Sequence, residues 1–374
     1  MNAIQMVDLK SQYLRIKSEI DNALIQCVES TNYINGPEVK QFQESLEKYL
    51  NVKHVIPCAN GTDALQIALM ALGLEPGDEI IVPAFTYVAT AEAIALLGYI
   101  PVMVDVDSKT FNIDPAEIEK AISSKTKAIV PVHLYGQSAN MDLIMNIANK
   151  NGLFVIEDNA QALGAEFKSV DGKLHKTGTI GHMGCNSFFP TKNLGCFGDG
   201  GAISTNDDDL AEKCRIIASH GQKKKYYHSV VGCNSRLDTL QAAILNVKLK
   251  YLDNYINIRQ KAAKFYSEAL TGINWLSIPF ETPSAIHTFN QYTLIVKENL
   301  RDKLQDYLQV NHIPTIIYYP LPLYKQEAFM GFVSDKMESP ITESLCKSVL
   351  SIPMHTELTP KIQEHIIDTI KNFK

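Results

Sequence analysis

The sequence predicts an α/β fold: a mainly parallel sheet with flanking helices in a large domain, followed by a smaller C-terminal α/β domain. Three observations carry this prediction. Short apolar strands alternate with amphipathic helices from Val52 to Ala218, with short connections, as in an open parallel sheet. Glycine, threonine and carboxylate residues collect where those strands end, the usual ligand crevice of such a sheet. At 374 residues the chain is too long for one ordinary core. We expect residues 1–250 to form an N-terminal segment and the large domain, and residues 251–374 the small one.

Composition narrows the function classes. Apolar residues make up 45% and charged residues 20%, as in ordinary globular proteins. The net charge is −6 and there is no basic block, which argues against nucleic acid as a partner. Lys223-Lys224-Lys225 reads as a solvated loop. The seven cysteines (Cys27, Cys58, Cys185, Cys196, Cys214, Cys233 and Cys346) are dispersed and odd in number, without a C-x-x-C pair. They read as reduced cytoplasmic thiols rather than a disulfide framework or a zinc site. No apolar run reaches membrane-spanning length, and the first residues carry no signal-peptide core.

In chain order, Tyr13, Ile16, Ile20, Leu24 and Val28 share one face of a helix over 12–31. Gly36-Pro37 breaks the chain, and Val39, Phe42, Leu46 and Leu50 mark a second helix. Strand 52–57 then runs into Asn60-Gly61-Thr62-Asp63-Ala64-Leu65 and a helix through Leu72. That turn is either an anion site on a helix N-terminus or a plain N-cap made by Thr62 or Asp63. Strand 79–82 leads through Phe85-Thr86-Tyr87 to a helix ending near Leu97, and Tyr87 can stack on a planar ring or pack in the core. Strands over 100–106, 128–133 and 153–156 alternate with helices over 116–122 and 141–149. The last strand ends in Glu157-Asp158-Asn159-Ala160-Gln161. A buried carboxylate needs a partner, and a protonated ring nitrogen is one; a capping acid is the other reading.

Ser187 to Ala202 holds Lys192 among Phe188, Phe189, Leu194 and Phe197, with Gly195, Gly198, Gly200 and Gly201 nearby. A desolvated amine has a lowered pKa and can attack an aldehyde, the chemistry of a Schiff-base lysine. A surface lysine in a glycine-rich loop is the plainer reading. Strand 202–205 and helix 210–218 follow, with His220 at the helix end. Asn234-Ser235-Arg236-Leu237-Asp238 opens a strong helix, 239–252, continuing through Ile258 and Phe265. Beyond it, strand 291–296, helix 301–310 and the aromatic loop Tyr318-Tyr319-Pro320 suggest the smaller domain.

These segments together resemble the sugar-nucleotide aminotransferases of the DegT/DnrJ/StrS family, from Val7-Asp8-Leu9 to Pro353-Met354-His355. The resemblance implies the pyridoxal phosphate-dependent transferase fold of type I. It implies Lys192 as the lysine that forms a Schiff base with the cofactor and Asp158 as the partner of the ring nitrogen. It places Gln161 beside the ring hydroxyl, Tyr87 on the ring face, and Gly61, Thr62 and Ser187 at the phosphate. Asn234 would reach the phosphate of a second subunit, which implies a homodimer with shared active sites. Glutamate is the implied donor and a nucleotide-linked keto sugar the acceptor. Within the family the chain looks most like the branch that aminates C3 of UDP-2-acetamido-2-deoxy-3-oxo-D-glucuronate in O-antigen synthesis. There Arg236 would meet the sugar carboxylate, or else serve the helix start. Alternatives are a dTDP-linked 3-keto or 4-keto-6-deoxyhexose as acceptor, and a non-catalytic regulatory protein that keeps the fold. The family often has His-Tyr-Pro where this chain has Tyr318-Tyr319-Pro320, which makes Tyr318 and Tyr319 candidate substrate contacts.

Overall fold

The computed structural model describes residues 3–332 and 337–373. The N-terminal part is helical: α1 (Leu9–Arg15), α2 (Lys17–Ser30) and α3 (Pro37–Leu50). The single helix expected over 12–31 is broken at Ile16, whose φ of −117° and ψ of 19° leave the helical region. Ile16 and Ile20 are buried against Ile244 and Val247, but Val28 is 50% exposed. The apolar period therefore serves two surfaces.

Seven strands form the central sheet: β1 (His54–Cys58), β2 (Glu79–Pro83), β3 (Ile100–Val104), β4 (Thr126–Ile129), β5 (Phe154–Asp158), β6 (Met183–Ser187) and β7 (Gly201–Thr205). Their spatial order is β1-β7-β6-β5-β4-β2-β3. β6, β5, β4, β2 and β3 pair in parallel, while β7 runs antiparallel to both β6 and β1. The sheet is thus mainly parallel, with one reversed strand that the alternation pattern does not reveal. β6 also escapes the sequence pattern, because Met-Gly-Cys-Asn-Ser lacks an apolar run. The expected strand 128–133 stops at Ile129, so His133 lies beyond the sheet. Helices α4 (Gly61–Ala71), α5 (Ala89–Leu96), α6 (Pro115–Ala121), α7 (Met141–Asn151) and α8 (Asp208–Ala218) flank the strands. The strand interiors are buried on both faces, which explains their nearly continuous apolar sequence.

The long helix expected from Thr239 is two helices, α9 (Thr239–Leu249) and α10 (Leu252–Leu270), interrupted at Lys250-Tyr251. α2 and α3 pack on α9. Beyond α10, β8 (Leu276–Ser277), β9 (Tyr292–Val296) and β10 (Val349–Ile352) form a separate antiparallel sheet. It packs with α10, α11 (Glu298–Val310) and α13 (Pro360–Lys371) around Tyr266 and Tyr292, while α12 (Pro340–Ser348) leads into β10. Leu323, Tyr324 and Phe329 return to the core beside the large sheet.

Candidate active site

Asp158 ends β5, and both of its carboxylate oxygens are engaged. Thr90, in the first turn of α5, donates its hydroxyl to Oδ2 at 2.8 Å, and the Ala160 N–H donates to Oδ1 at 3.1 Å. Burial pushes the Asp158 carboxyl up, while those two bonds and the nearby Lys192 pull the other way. No described residue forms a salt bridge with it.

Lys192 lies in the loop between β6 and β7. Burial lowers its amine to about 8, against the pull of Asp158. Phe188 and Leu194 are fully buried, but Phe189 is 49% and Phe197 43% exposed, so only the first two form the dry backing expected of all four. A second buried lysine, Lys248 on α9, is also held at about 8 by burial. Its Nζ donates to the Gly195 carbonyl and so pins the loop that carries Lys192. The Lys192 Nζ makes no hydrogen bond or ion pair with any described residue. Of these two low-pKa amines, only Lys192 is free to react. Sequence alone passed over Lys248, which lies inside an ordinary amphipathic helix.

The turn before α4 is capped by Asn60, whose side chain accepts from the Asp63 N–H at 2.8 Å. Neither Thr62 nor Asp63 is the cap. The Gly61 and Thr62 N–H groups head the helix, where no preceding turn supplies an acceptor. Ser187 faces them: a Cβ added at Gly61 would lie 2.7 Å from the Ser187 Cβ. This cradle of two N–H groups and a hydroxyl suits an anion.

Gln161 and the aromatic loop meet. The Gln161 Oε1 accepts from the Tyr135 N–H at 2.7 Å, and its Nε2 donates to the Tyr319 hydroxyl at 3.1 Å. The Tyr319 ring lies 6.2 Å from the Tyr87 ring, and Tyr87 is 57% exposed, so it presents a face rather than packing in the core. Burial raises the Tyr319 hydroxyl well above its usual pKa, so it stays protonated. Tyr318 turns its carbonyl to the Tyr135 hydroxyl. The structure therefore brings Asp158, Gln161, Tyr87 and Tyr319 together.

Asn234 and Arg236 do not join them. Both are exposed on the segment entering α9, and neither side chain bonds a described residue. Between them, buried Ser235 accepts from the Ala59 N–H at 3.0 Å, which ties the segment to the α4 turn. His220 is exposed beyond the end of α8.

Sequence reasoning missed the pair behind Asp158. Glu157 is fully buried and accepts from the N–H groups of Gly178 at 2.7 Å, Ile180 at 2.6 Å and Gly181 at 2.6 Å. His133 Nε2 lies 2.7 Å from it. The Ala139 N–H donates to His133 Nδ1 at 3.1 Å, which assigns the ring proton to Nε2. Glu157 is a buried carboxylate with four donors, and the backbone N–H of His133 donates to the Asp158 backbone carbonyl at 3.0 Å. The signal in the sequence is a histidine just past one strand beside an acid at the end of the next.

Residues 14–371 match the model of the DegT/DnrJ/EryC1/StrS aminotransferase family. The chain is 48% identical over 355 residues to the UDP-2-acetamido-2-deoxy-3-oxo-D-glucuronate aminotransferase of Pseudomonas aeruginosa, spanning 95% of this chain and 96% of that protein. It is 47% identical over 372 residues to the pleiotropic regulatory protein of Geobacillus stearothermophilus, spanning 99% and 98%. Among solved structures, NtdA of Bacillus subtilis with bound cofactor PMP has a TM-score of 0.88 at 32% identity, over 95% of this chain and 81% of that one. On the family match and these identities, the chain belongs to the DegT/DnrJ/EryC1/StrS aminotransferase family.

Proposed function

We propose that the protein transfers the amino group of L-glutamate to C3 of UDP-2-acetamido-2-deoxy-3-oxo-D-glucuronate, in the synthesis of a surface polysaccharide such as O-antigen. The observation that carries the reaction type is the unpaired Lys192 amine, held at about 8 beside the buried Asp158 carboxyl. The P. aeruginosa relative carries the choice of sugar.

Aminotransferases of this family depend on pyridoxal phosphate. The residues present fit that group. Gly61, Thr62 and Ser187 make a cradle that a single Cβ would fill, suited to the phosphate. Asp158 is a buried acid without a cationic partner among the described residues, suited to a protonated ring nitrogen, which would offset the cost of its burial. Gln161 stands where a ring hydroxyl would need a partner, and the exposed Tyr87 face suits stacking. When bound, the cofactor supplies the carbonyl that takes up the amino group and the ring that delocalises charge.

The remaining steps belong to the chain. Lys192 Nζ, lowered to about 8 so that a useful neutral fraction exists near pH 7, takes the proton from the donor α-carbon. In the second half-reaction it delivers a proton to the sugar carbon that becomes the amine-bearing carbon. Asp158, positioned by Thr90 and Ala160, keeps the ring nitrogen protonated. Tyr319, protonated and bonded to Gln161, closes one side of the site and excludes water.

We also propose a homodimer. Its support is the set of large apolar side chains Leu14, Ile25, Val28, Tyr33 and Ile34 near the N-terminal end, each 44–54% exposed. Asn234 and Arg236, unpartnered within the described chain, would then serve the partner's phosphate and sugar carboxylate. The division at 250/251 is proposed on the separate apolar cluster around Tyr266 and Tyr292. The seven free cysteines and the absence, among the described residues, of a helix able to cross a membrane support a cytoplasmic site of action.

The relative named as a regulatory protein favours a second reading, a regulator that keeps the fold. The free Lys192 amine beside Asp158 counts against a purely regulatory role. Incubation with glutamate and either the UDP-linked keto uronate or a dTDP-linked keto sugar separates the possibilities. Amination of the UDP sugar is expected. Preference for the dTDP sugar would overturn the substrate, and turnover of neither would favour the regulator.

A further inference from the structure

The loop that carries Lys192 closes on itself. The Lys192 N–H donates to the Phe189 carbonyl at 2.9 Å, and the Cys196 N–H donates to the Phe188 carbonyl at 2.8 Å. Gly195 lies so close to the incoming arm that a Cβ there would stand 2.3 Å from the Pro190 carbonyl oxygen. The loop lies between β6 and β7 and belongs to neither, so its placement depends on what it packs against.

One face of α9 supplies that support. Leu237, just before the helix, then Gln241, Leu245 and Lys248 recur at intervals of three and four and so line one side. Leu237 and Leu245 are buried with Phe188, Leu194 and Cys196. The two polar members of the stripe reach the loop backbone. Gln241 accepts from the Phe197 N–H at 2.8 Å and donates to the Phe197 carbonyl at 3.3 Å. Lys248 is 2% exposed, and its Nζ donates to the Gly195 carbonyl and lies 5.6 Å from the centroid of the Phe197 ring. The titratable groups it faces are the Cys196 thiol of the loop and the Arg259 guanidinium of α10, not a carboxylate. A neutral amine still carries N–H donors, so the bond to Gly195 does not depend on the charge.

The start of the same helix is tied to the other end of the site. Ser235 accepts from the Ala59 N–H ahead of α4, whose first turn forms the anion cradle. One element thus braces both the cradle and the lysine loop. A cofactor held at its phosphate presents its carbonyl carbon to Lys192 only if the two keep a fixed separation.

We propose that Lys248 and Gln241 are positioning residues: through the Gly195 and Phe197 backbones they hold Lys192 where its amine meets the cofactor carbonyl and the donor α-carbon. The inference rests on the Lys192 reading above. Two substitutions test it. Lys248→Met keeps the length of the side chain and removes the donor. Gln241 is neutral and half-buried, so Gln241→Ala changes no charge and spares the core. Pyridoxal phosphate uptake by each apoenzyme is followed against pH, and glutamate-driven bleaching of the loaded protein against glutamate concentration. A loosened loop lets water reach Lys192, so the pH at which uptake levels off should rise above about 8 by roughly one unit in both variants. Uptake at pH 7 should slow about tenfold accordingly. The maximal bleaching rate should fall about tenfold while the half-saturating glutamate concentration stays within about twofold, because the groups that bind the donor are untouched.

Uptake that levels off at the wild-type pH in both variants, even with a lowered Tm, would overturn the proposal and leave the two contacts as structural ones. A rise confined to either variant would overturn it too; confined to Lys248→Met, it would trace to the lost charge. If Lys248→Met does not fold, Gln241→Ala decides alone. A wild type whose uptake rate keeps climbing toward pH 10 would instead refute the Lys192 reading on which the proposal rests.

Discussion

At the scale of the residue, the site turns on how differently burial acts on neighbouring groups. It pushes Lys192 down to about 8 and Asp158 up, so each neutral form is more populated than in water. The sign for the lysine is direct. Below about 8 its amine is mostly protonated and holds no free electron pair; above it the nucleophilic form dominates. Uptake of pyridoxal phosphate by the apoenzyme should therefore accelerate about tenfold per pH unit below about 8 and level off above it. Stopped-flow absorbance would show this, and a rate still climbing toward pH 10 would mean that the lysine is not desolvated. Lys192, Asp158, Gln161 and Tyr87 are legible in the sequence because each sits in a short motif at a strand end. Tyr135 and His133 are not. Gln161 lies 26 positions from Tyr135 and Glu157 lies 24 from His133, and nothing local distinguishes either residue.

Among the elements, β5 bears the most consequence. Its last two residues are both acids with opposite duties. Asp158 faces the site, and Glu157 faces away into a ring of three N–H groups and His133. A glutamine there would place an amide donor against donors. Glu157→Gln should cost about 3 kcal/mol of stability, within the range for breaking a buried charged network. A thermal melt would register it as a lower Tm, and an unchanged Tm would mean that the carboxylate is dispensable. The element boundaries show where periodicity fails. Apolar spacing runs on through Ile16 and through Lys250-Tyr251, so the sequence reads one helix where backbone geometry makes two. β6 is missed for the opposite reason: its burial comes from neighbouring strands rather than from its own apolar residues.

At the scale of the whole molecule, the fold class is readable because alternation of strand and helix is a global pattern that survives local errors. The direction of β7 is not, since a reversed strand has the same composition as a parallel one. Val28 belongs to the apolar face that the spacing over 12–31 predicts, yet it is 50% exposed, and its neighbour Ile25 is 54% exposed. The proposed partner subunit would cover them. If the proposed dimer forms through this face, Ile25→Glu combined with Val28→Glu should yield a monomer in sedimentation analysis where the wild type sediments as a dimer. Activity should fall with it, because Asn234 would no longer reach a second site. A variant that sediments and turns over like the wild type would remove the shared-site proposal.

Under the proposed function, Lys192, beside Asp158, carries out amino transfer on pyridoxal phosphate. The visible absorption spectrum of the loaded protein, before and after glutamate, tests it most directly. A visible band that glutamate bleaches is expected in the wild type, and no bleaching in Lys192→Ala. Equal bleaching in the two proteins, or a wild type that remains colourless when pyridoxal phosphate is supplied, would contradict it.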